Sequence, residues 1–370
     1  MHILFAAGGT SGHINPAICI ADKIKKIHPE ATISFIGNET GMESVLVPKT
    51  GYDFFGIAVA GFQRKFSVAN IKRNVDAFTK MFTSSKTAEK LLADLKPDVV
   101  VGTGGYASGP VVRKAAKMGM KTLIHEQNAY PGVTTKMLCG YVDTVCIASP
   151  VAKTHLKNTR EYVFTGNPVR ADLYTTSKKD ARKRFGLDNR IMIVSSGGSN
   201  GAAKINRAMT ELIEWNVKNE NYYIYHSYGK FDNGEMQNKL AGMIGDNIRL
   251  REYNDDMCDL MAAADLIIGR AGALTIAELR AAGKASILIP SPNVAENHQY
   301  YNAMALAKSG AAVVIKDAEL DGKRLISEVK KIIENKNNLK KMSQNAGKGA
   351  ILDAETKIYD EIMKLYKMRK

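Results

Sequence analysis

At 370 residues the chain exceeds what a single core ordinarily organises, so two domains are expected. Its 45% hydrophobic content is that of a globular protein; no apolar run approaches the roughly 18 residues that span a bilayer, and four scattered cysteines (Cys19, Cys139, Cys146, Cys258) without a CxxC pair suit reduced thiols in the cytosol rather than disulfides or zinc. A net charge of +15 fits an anionic partner (membrane, nucleic acid or phosphorylated substrate) or a merely soluble basic protein, and it is lopsided: Phe62–Thr122 holds twelve Lys/Arg against four acids, a local excess of eight.

The chain begins with an apolar run, His2 to Ala6, that reads as a first strand and not as a signal peptide. It stops at Gly8-Gly9-Thr10-Ser11-Gly12-His13, after which Ile18, Ala21, Ile24 and Ile27 keep helical spacing: strand, glycine turn, helix. Short apolar strands follow at Thr32–Ile36, Asp98–Gly102, Thr122–His125 and Thr144–Ile147. The opening pattern returns at Ile191–Ser195, which runs into Gly197-Gly198-Ser199-Asn200-Gly201-Ala202-Ala203 and another helix. Further strands are expected at Tyr222–His226, Asp265–Gly269, Ser286–Pro290 and Ala312–Ile315. Apolar strands separated by helices indicate parallel sheets covered on both faces, so the expected fold is α/β, two doubly wound domains facing one another. Turn formers at Gly166-Asn167-Pro168-Val169-Arg170 place the join, giving domains 1–165 and 166–352. A last helix over 353–370, with Ile358, Ile362 and Leu365 at spacings of four and three, could pack on either domain.

The glycine turns let backbone N–H groups approach an anion at a helix N-terminus. Each taken singly is equally explained by the sterics of a tight turn, but two of them suggest a ligand held between two domains. Neither is GxGxxG with an acid about twenty residues on, nor a Walker A loop, which disfavours NAD and ATP. His13 opens its helix, where the positive helix end keeps an imidazole neutral and able to accept a proton. On position alone, hydrogen bonding within its own turn accounts for it slightly better. His125-Glu126-Gln127-Asn128 follows a buried strand, where open α/β sheets bind ligands; a polar turn held by local hydrogen bonds is the alternative. Adjacent His and Glu on an extended chain point to opposite faces, so no metal site is expected. The loop Gly104-Gly105-Tyr106-Ala107-Ser108-Gly109-Pro110 suits either a surface moulded to an acceptor or a tight connection. In Arg270-Ala271-Gly272-Ala273-Leu274-Thr275-Ile276-Ala277-Glu278, Thr275 and Glu278 fall one helical turn apart. Amides there can hold phosphate while the carboxylate grips ribose hydroxyls; an acid serving only the helix dipole is the alternative. Glu296-Asn297-His298-Gln299 adds polar groups on the same rim.

These segments, GGTSGH, GGYASGP, HEQN, GNPVR, GGSNGA, EYNDDM, GALTIAE and ENHQYYNA, run in order from Ile3 to about Ala303 and resemble the peptidoglycan glycosyltransferases of the MurG family. The resemblance implies a GT-B fold, two Rossmann-like domains across a deep cleft, the first binding acceptor and membrane and the second UDP-GlcNAc. It implies inverting transfer of GlcNAc, with no metal or cofactor, from UDP-GlcNAc to the C4 hydroxyl of MurNAc in undecaprenyl-pyrophosphoryl-MurNAc-pentapeptide (lipid I), giving lipid II. It further implies that Thr10, Ser11 and Gly12 line the donor side, that His13 is the general base, and that Asn128 and Arg170 contact the donor. Ser199 would lie near the phosphates, the backbone of Asn254 would read uracil, and Gln299 would contact the sugar. Ala273, Leu274, Thr275, Ile276, Ala277 and Glu278 would form the nucleotide-binding turn, with Glu278 on the ribose. Tyr106, Ser108, Glu126 and Gln127 are assigned to the acceptor loop. Two residues depart from the pattern: Ser11 stands where many members carry glycine, and His298 where some carry glutamine.

The basic stretch acquires a role in this light. Ile71, Val75, Phe78 and Phe82 make one apolar helix face with Lys72, Arg73 and Lys80 beside it. From the residues alone it reads best as a helix packed on the core with a solvated basic side. The resemblance implies instead a surface that docks on anionic lipid from the cytoplasmic side, with no part for nucleic acid. A UDP-sugar epimerase of the same fold, or a non-catalytic nucleotide-sugar binder, are the rival readings.

Overall fold

The structure, a computed structural model, describes residues 1–59, 84–219, 222–254, 256–294 and 297–369. The chain forms two compact units, residues 1–168 with 353–370, and residues 169–352.

The first unit is built on seven strands: β1 (His2–Ala7), β2 (Thr32–Asn38), β3 (Asp53–Ile57), β4 (Val99–Gly104), β5 (Lys121–Glu126), β6 (Thr144–Ile147) and β7 (Tyr162–Phe164). They lie in the order β3-β2-β1-β4-β5-β6-β7, and every pairing is parallel. Because successive side chains of a strand point to opposite faces, β1 feeds two cores. Ile3, Phe5 and Ala7 join Ile14, Ile20 and Ile24 of the helix Ser11–Ile27, while Leu4 and Ala6 join Val111 and Val112 of the helix Ser108–Lys117. The last helix, Ala354–Lys367, belongs to this unit. Its Ile358, Ile362 and Leu365 are buried in the same cluster as Ile20 and Ile24. Polar ties fix its length: Tyr359 Oη lies 2.9 Å from His28 Nε2, Lys364 donates to Glu161 at 2.7 Å, and Arg369 pairs with Asp98.

The second unit repeats the plan with β8 (Met192–Ser196), β9 (Tyr223–Ser227), β10 (Ile248–Arg251), β11 (Leu266–Gly269), β12 (Ala285–Leu288) and β13 (Ala312–Val314). The order is β10-β9-β8-β11-β12-β13, again all parallel. Ile193 and Met192 start the two cores, one on each face. The expected strands are present, and β3, β7 and β10 are additional. All three sit at sheet edges. β10 alternates buried Ile248 and Leu250 with exposed Arg249 and Arg251, so it shows no continuous apolar run.

In each sheet the strand order reverses once, between β1 and β4 and between β8 and β11. Open α/β sheets bind ligands beyond the carboxyl ends of the strands flanking such a reversal. The four segments that leave those ends are Gly8–His13, Gly104–Ser108, Gly197–Ala202 and Arg270–Ala273. The described residues contain no helix long and apolar enough to cross a membrane. The helix face Ile71, Lys72, Arg73, Val75, Phe78 and Phe82 lies outside the described residues.

Candidate functional site

In the first unit the loops after β1 and β4 are pressed together. A Cβ on Gly105 would lie 2.0 Å from the carbonyl oxygen of Gly8, and one on Gly104 would lie 2.6 Å from His13 Nδ1. Both glycines also take positive φ, 85° at Gly105 and 107° at Gly104, so side chains are excluded twice over. Beneath them sits Glu43, 1% exposed, whose carboxylate accepts the N–H of Gly9 at 3.1 Å and of Asn38 at 2.8 Å. The first glycine turn is thus held from inside by a protein carboxylate. Thr10 is the N-cap of the following helix, and its carbonyl accepts the N–H groups of His13 and Ile14. Ser11, Gly12 and His13 form a half-buried first turn. The His13 ring presents Nδ1 to Gln127 Oε1 at 3.2 Å, and its carbonyl accepts Thr103 Oγ1 at 2.7 Å.

The HEQN segment differs from expectation. Glu126 and Gln127 were assigned to the acceptor loop, yet they are 2% and 5% exposed and spend their bonds internally. Glu126 accepts from Asn128 N at 2.9 Å, Gly132 N at 3.0 Å and Thr135 Oγ1 at 2.5 Å, shaping the turn from within. Gln127 Nε2 donates to the carbonyl of Thr103 at 2.8 Å and lies 3.1 Å from that of His125. β5 ends at Glu126, and the polar pair is buried where the chain leaves the strand. Asn128, half-buried, also donates its Nδ2 to Glu126. Asn167 of GNPVR ties back to the Gln127 carbonyl at 3.0 Å. Ser108, 1% exposed, is likewise enclosed, and only Tyr106 of the four acceptor-loop residues is open, at 60%.

In the second unit the glycine turn after β8 is braced by the segment after β9. The N–H groups of Lys230 and Phe231 donate to the carbonyls of Ser199 and Asn200 at 3.2 and 3.1 Å. Gly201, at φ 82°, leaves no room for a side chain, since a Cβ there would meet Tyr228 O at 2.1 Å. Ser199 is exposed at the tip. After β11, Gly272 caps the helix Ala273–Ala281, whose Ala273, Leu274, Thr275, Ile276, Ala277 and Glu278 are all partly accessible. Desolvation pushes the Glu278 carboxyl up to about 7, and the Arg170 guanidinium pulls in the opposite direction. Cys258, which the sequence reading left aside, is within the field of both, its thiol raised first by burial. Arg170 itself is exposed. Asn254 donates its side chain to Ser227 Oγ at 2.7 Å, and Gln299 Oε1 accepts the N–H of Ser291 at 2.9 Å. Arg270 is structural: it pairs with Asp317 at 2.7 Å and donates to the carbonyls of Ile289 and Pro290. The structure therefore gathers Thr10 to His13 with Gln127 in one unit, and Arg170 with Glu278 in the other. Glu43 and Thr103 were missed, because nothing in their local sequence marks a partner 34 or 90 residues away.

The glycosyltransferase family 28 N-terminal domain matches residues 3–147, and the family 28 C-terminal domain residues 192–360. The UDP-N-acetylglucosamine--N-acetylmuramyl-(pentapeptide) pyrophosphoryl-undecaprenol N-acetylglucosamine transferase of Acetivibrio thermocellus is 41% identical over 368 residues, 99% of this chain and 99% of that protein. The chain belongs to the MurG family. The crystal structure of MurG from Acinetobacter baumannii matches with a TM-score of 0.75 at 29% identity, covering 98% of this chain and 99% of that one. The UDP-GlcNAc 2-epimerase of Neisseria meningitidis, bound to UDP-GlcNAc, matches with a TM-score of 0.68 at 16% identity over 98% and 100% of the two chains. That second likeness is one of fold alone, so the MurG-family assignment rests on sequence and structure together while an epimerase reading rests on architecture.

Proposed function

We propose that this MurG-family chain transfers GlcNAc from UDP-GlcNAc to the C4 hydroxyl of MurNAc in lipid I, giving lipid II and UDP. The full-length identity to the Acetivibrio transferase carries the reading. His13 takes the proton of the C4 hydroxyl as that oxygen bonds to the anomeric carbon, and the bond from that carbon to the UDP oxygen breaks on the opposite face. Configuration inverts in a single displacement. The departing charge on UDP is met by Arg170 and by the amides of the glycine turns and helix N-termini after β8 and β11, in the role a metal ion plays elsewhere. Glu278 accepts from the ribose hydroxyls, Asn254 offers backbone to uracil, and Ser199, Asn128 and Gln299 border the phosphates and sugar. Thr10, Ser11 and Gly12 line the approach to His13, and Tyr106 is the acceptor-loop side chain open to lipid I. The chain acts peripherally at the cytoplasmic face of the membrane, with its basic 62–122 stretch against anionic lipid.

Incubation with UDP-GlcNAc and a lipid I analogue tests this. Disaccharide and free UDP appearing only when acceptor is present support transfer, whereas a new sugar epimer without acceptor sinks it. His13→Ala is expected to lower kcat by on the order of 10²-fold or more while UDP-GlcNAc binding persists; unchanged turnover removes His13 from the mechanism. Salt-sensitive binding to anionic vesicles, lost on charge reversal of Lys72 and Arg73, checks the membrane role.

A further inference from the structure

The MurG-family chain carries a one-way line of hydrogen bonds that ends on the His13 ring. It starts at the carbonyl of Gly166, which can only accept. His125 Nε2 lies 2.9 Å from it and so must carry a proton. Full burial drives the His125 imidazole down to about 4, so the ring is neutral and its Nδ1 can only accept. Gln127 Nε2 lies 3.2 Å from that nitrogen and donates at 2.8 Å to the carbonyl of Thr103. An amide oxygen there would face the Thr103 and His125 carbonyls, acceptor against acceptor, so the amide has only one orientation. Its Oε1 therefore faces His13 Nδ1, at 3.2 Å. The ring also lies against Gly104, on which even a Cβ would come within 2.6 Å of Nδ1.

We propose that Gln127 is a positioning residue that holds His13 in the tautomer protonated on Nδ1, leaving Nε2 bare to take the acceptor's proton. A neutral histidine in water divides between two tautomers, and only one of them offers a base at Nε2. Gln127 selects it without adding charge, since a neutral amide oxygen does not favour imidazolium as a carboxylate would. The polarity originates at Gly166, in the GNPVR segment, and reaches the ring through His125 and Gln127. This explains why His125 and Gln127 are buried: they work by direction of donation and not by touching substrate. The kinetic consequence rests on the reading of His13 as base; the tautomer itself does not.

The test uses the full chain labelled with ¹⁵N in its histidine rings, His13 being assigned by the signal lost in His13→Ala. Wild type at pH 8 is expected to show a protonated Nδ1 and a bare Nε2 at His13. Gln127→Met, close in volume but without the amide, is expected to show both tautomers, with kcat down by on the order of 10²-fold and KM for UDP-GlcNAc little changed. Gln127→Glu, whose carboxyl must keep a proton to face Thr103 O, is expected to retain the wild-type tautomer and more activity than Gln127→Met. If Gln127→Met fails to fold, Gln127→Glu and wild type still decide the point by spectrum. A wild-type His13 protonated on Nε2, or a Gln127→Met spectrum identical to wild type, overturns the proposal. If the tautomer responds as stated but His13→Ala turns over normally, the positioning stands and it is the base assignment that fails.

Discussion

Glu278→Gln is expected to change two properties in opposite directions. The carboxyl is pushed by desolvation from its ordinary 4.5 to about 7. A raised carboxyl stabilises the fold in its protonated form. That contribution is fully present below the unfolded value of 4.5 and is lost as pH rises through 7. At pH 8 the ligand-free protein therefore holds a poorly solvated carboxylate, at a cost of up to about 3 kcal/mol for a shift of 2.5 units. Glutamine removes this cost, so the variant should be the more stable protein at pH 8 and show no such gain at pH 4.5. Donor binding should move the other way. If the ionised carboxylate accepts from ribose, the competent fraction is about 90% at pH 8 and about 10% at pH 6, a roughly tenfold change in affinity or about 1.4 kcal/mol. Calorimetric titration at pH 6, 7 and 8 measures it directly, with UDP-GlcNAc as ligand because its diesterified pyrophosphate takes up no proton in this window. Wild type should bind more tightly as pH rises, and Glu278→Gln should bind weakly and without slope. A flat wild-type profile, or the same slope in the variant, would refute the assignment of this carboxylate to the donor.

Other outcomes follow from groups away from the reaction. Glu43→Ala takes the carboxylate acceptor from the N–H groups of Gly9 and Asn38 and should cost about 1.5 to 3 kcal/mol in urea unfolding. Ending the chain at Leu352 removes Ile358, Ile362 and Leu365 from the first core, about 1.5–3 kcal/mol each. That total rivals the whole stability of an ordinary domain, so limited proteolysis should find residues 1–168 cut rapidly while 169–352 resists. Lys284, whose ammonium donates to the carbonyls of Ala262 and Ala264, is lowered by burial to about 7. Its unfolded form binds more protons between pH 7 and the ordinary lysine range, so urea midpoints should rise from pH 7 to pH 9, and Lys284→Met should flatten that rise.

Much of the architecture was readable because a strand covered on both faces is mostly apolar, and β1, β4, β8 and β11 each carry a run of at least three apolar residues. The edge strands β3, β7 and β10 escaped: β10 is half polar, alternating buried Ile248 and Leu250 with exposed arginines. The glycine turns were readable too, since the positive φ of Gly9, Gly104 and Gly201 restricts the residue type. What each polar residue does was not. Gln127 and His13 are 114 residues apart, and no local pattern reports that one orients the other. Glu126 and Gln127 looked like surface groups because they end a strand, but the following turn folds over them and their carboxylate and amide are consumed beneath it.

The return of the last helix to the first unit has a consequence for biosynthesis. Residues 169–352 form an uninterrupted stretch and can close their core while the chain is still being made. The unit that begins first is completed only when residues past 353 emerge, so it is the later to mature. Until then the surface of Ile20 and Ile24 that Ile358 and Ile362 will cover stays wet, and a nascent chain stalled near its end is exposed to proteases and chaperones at its oldest part.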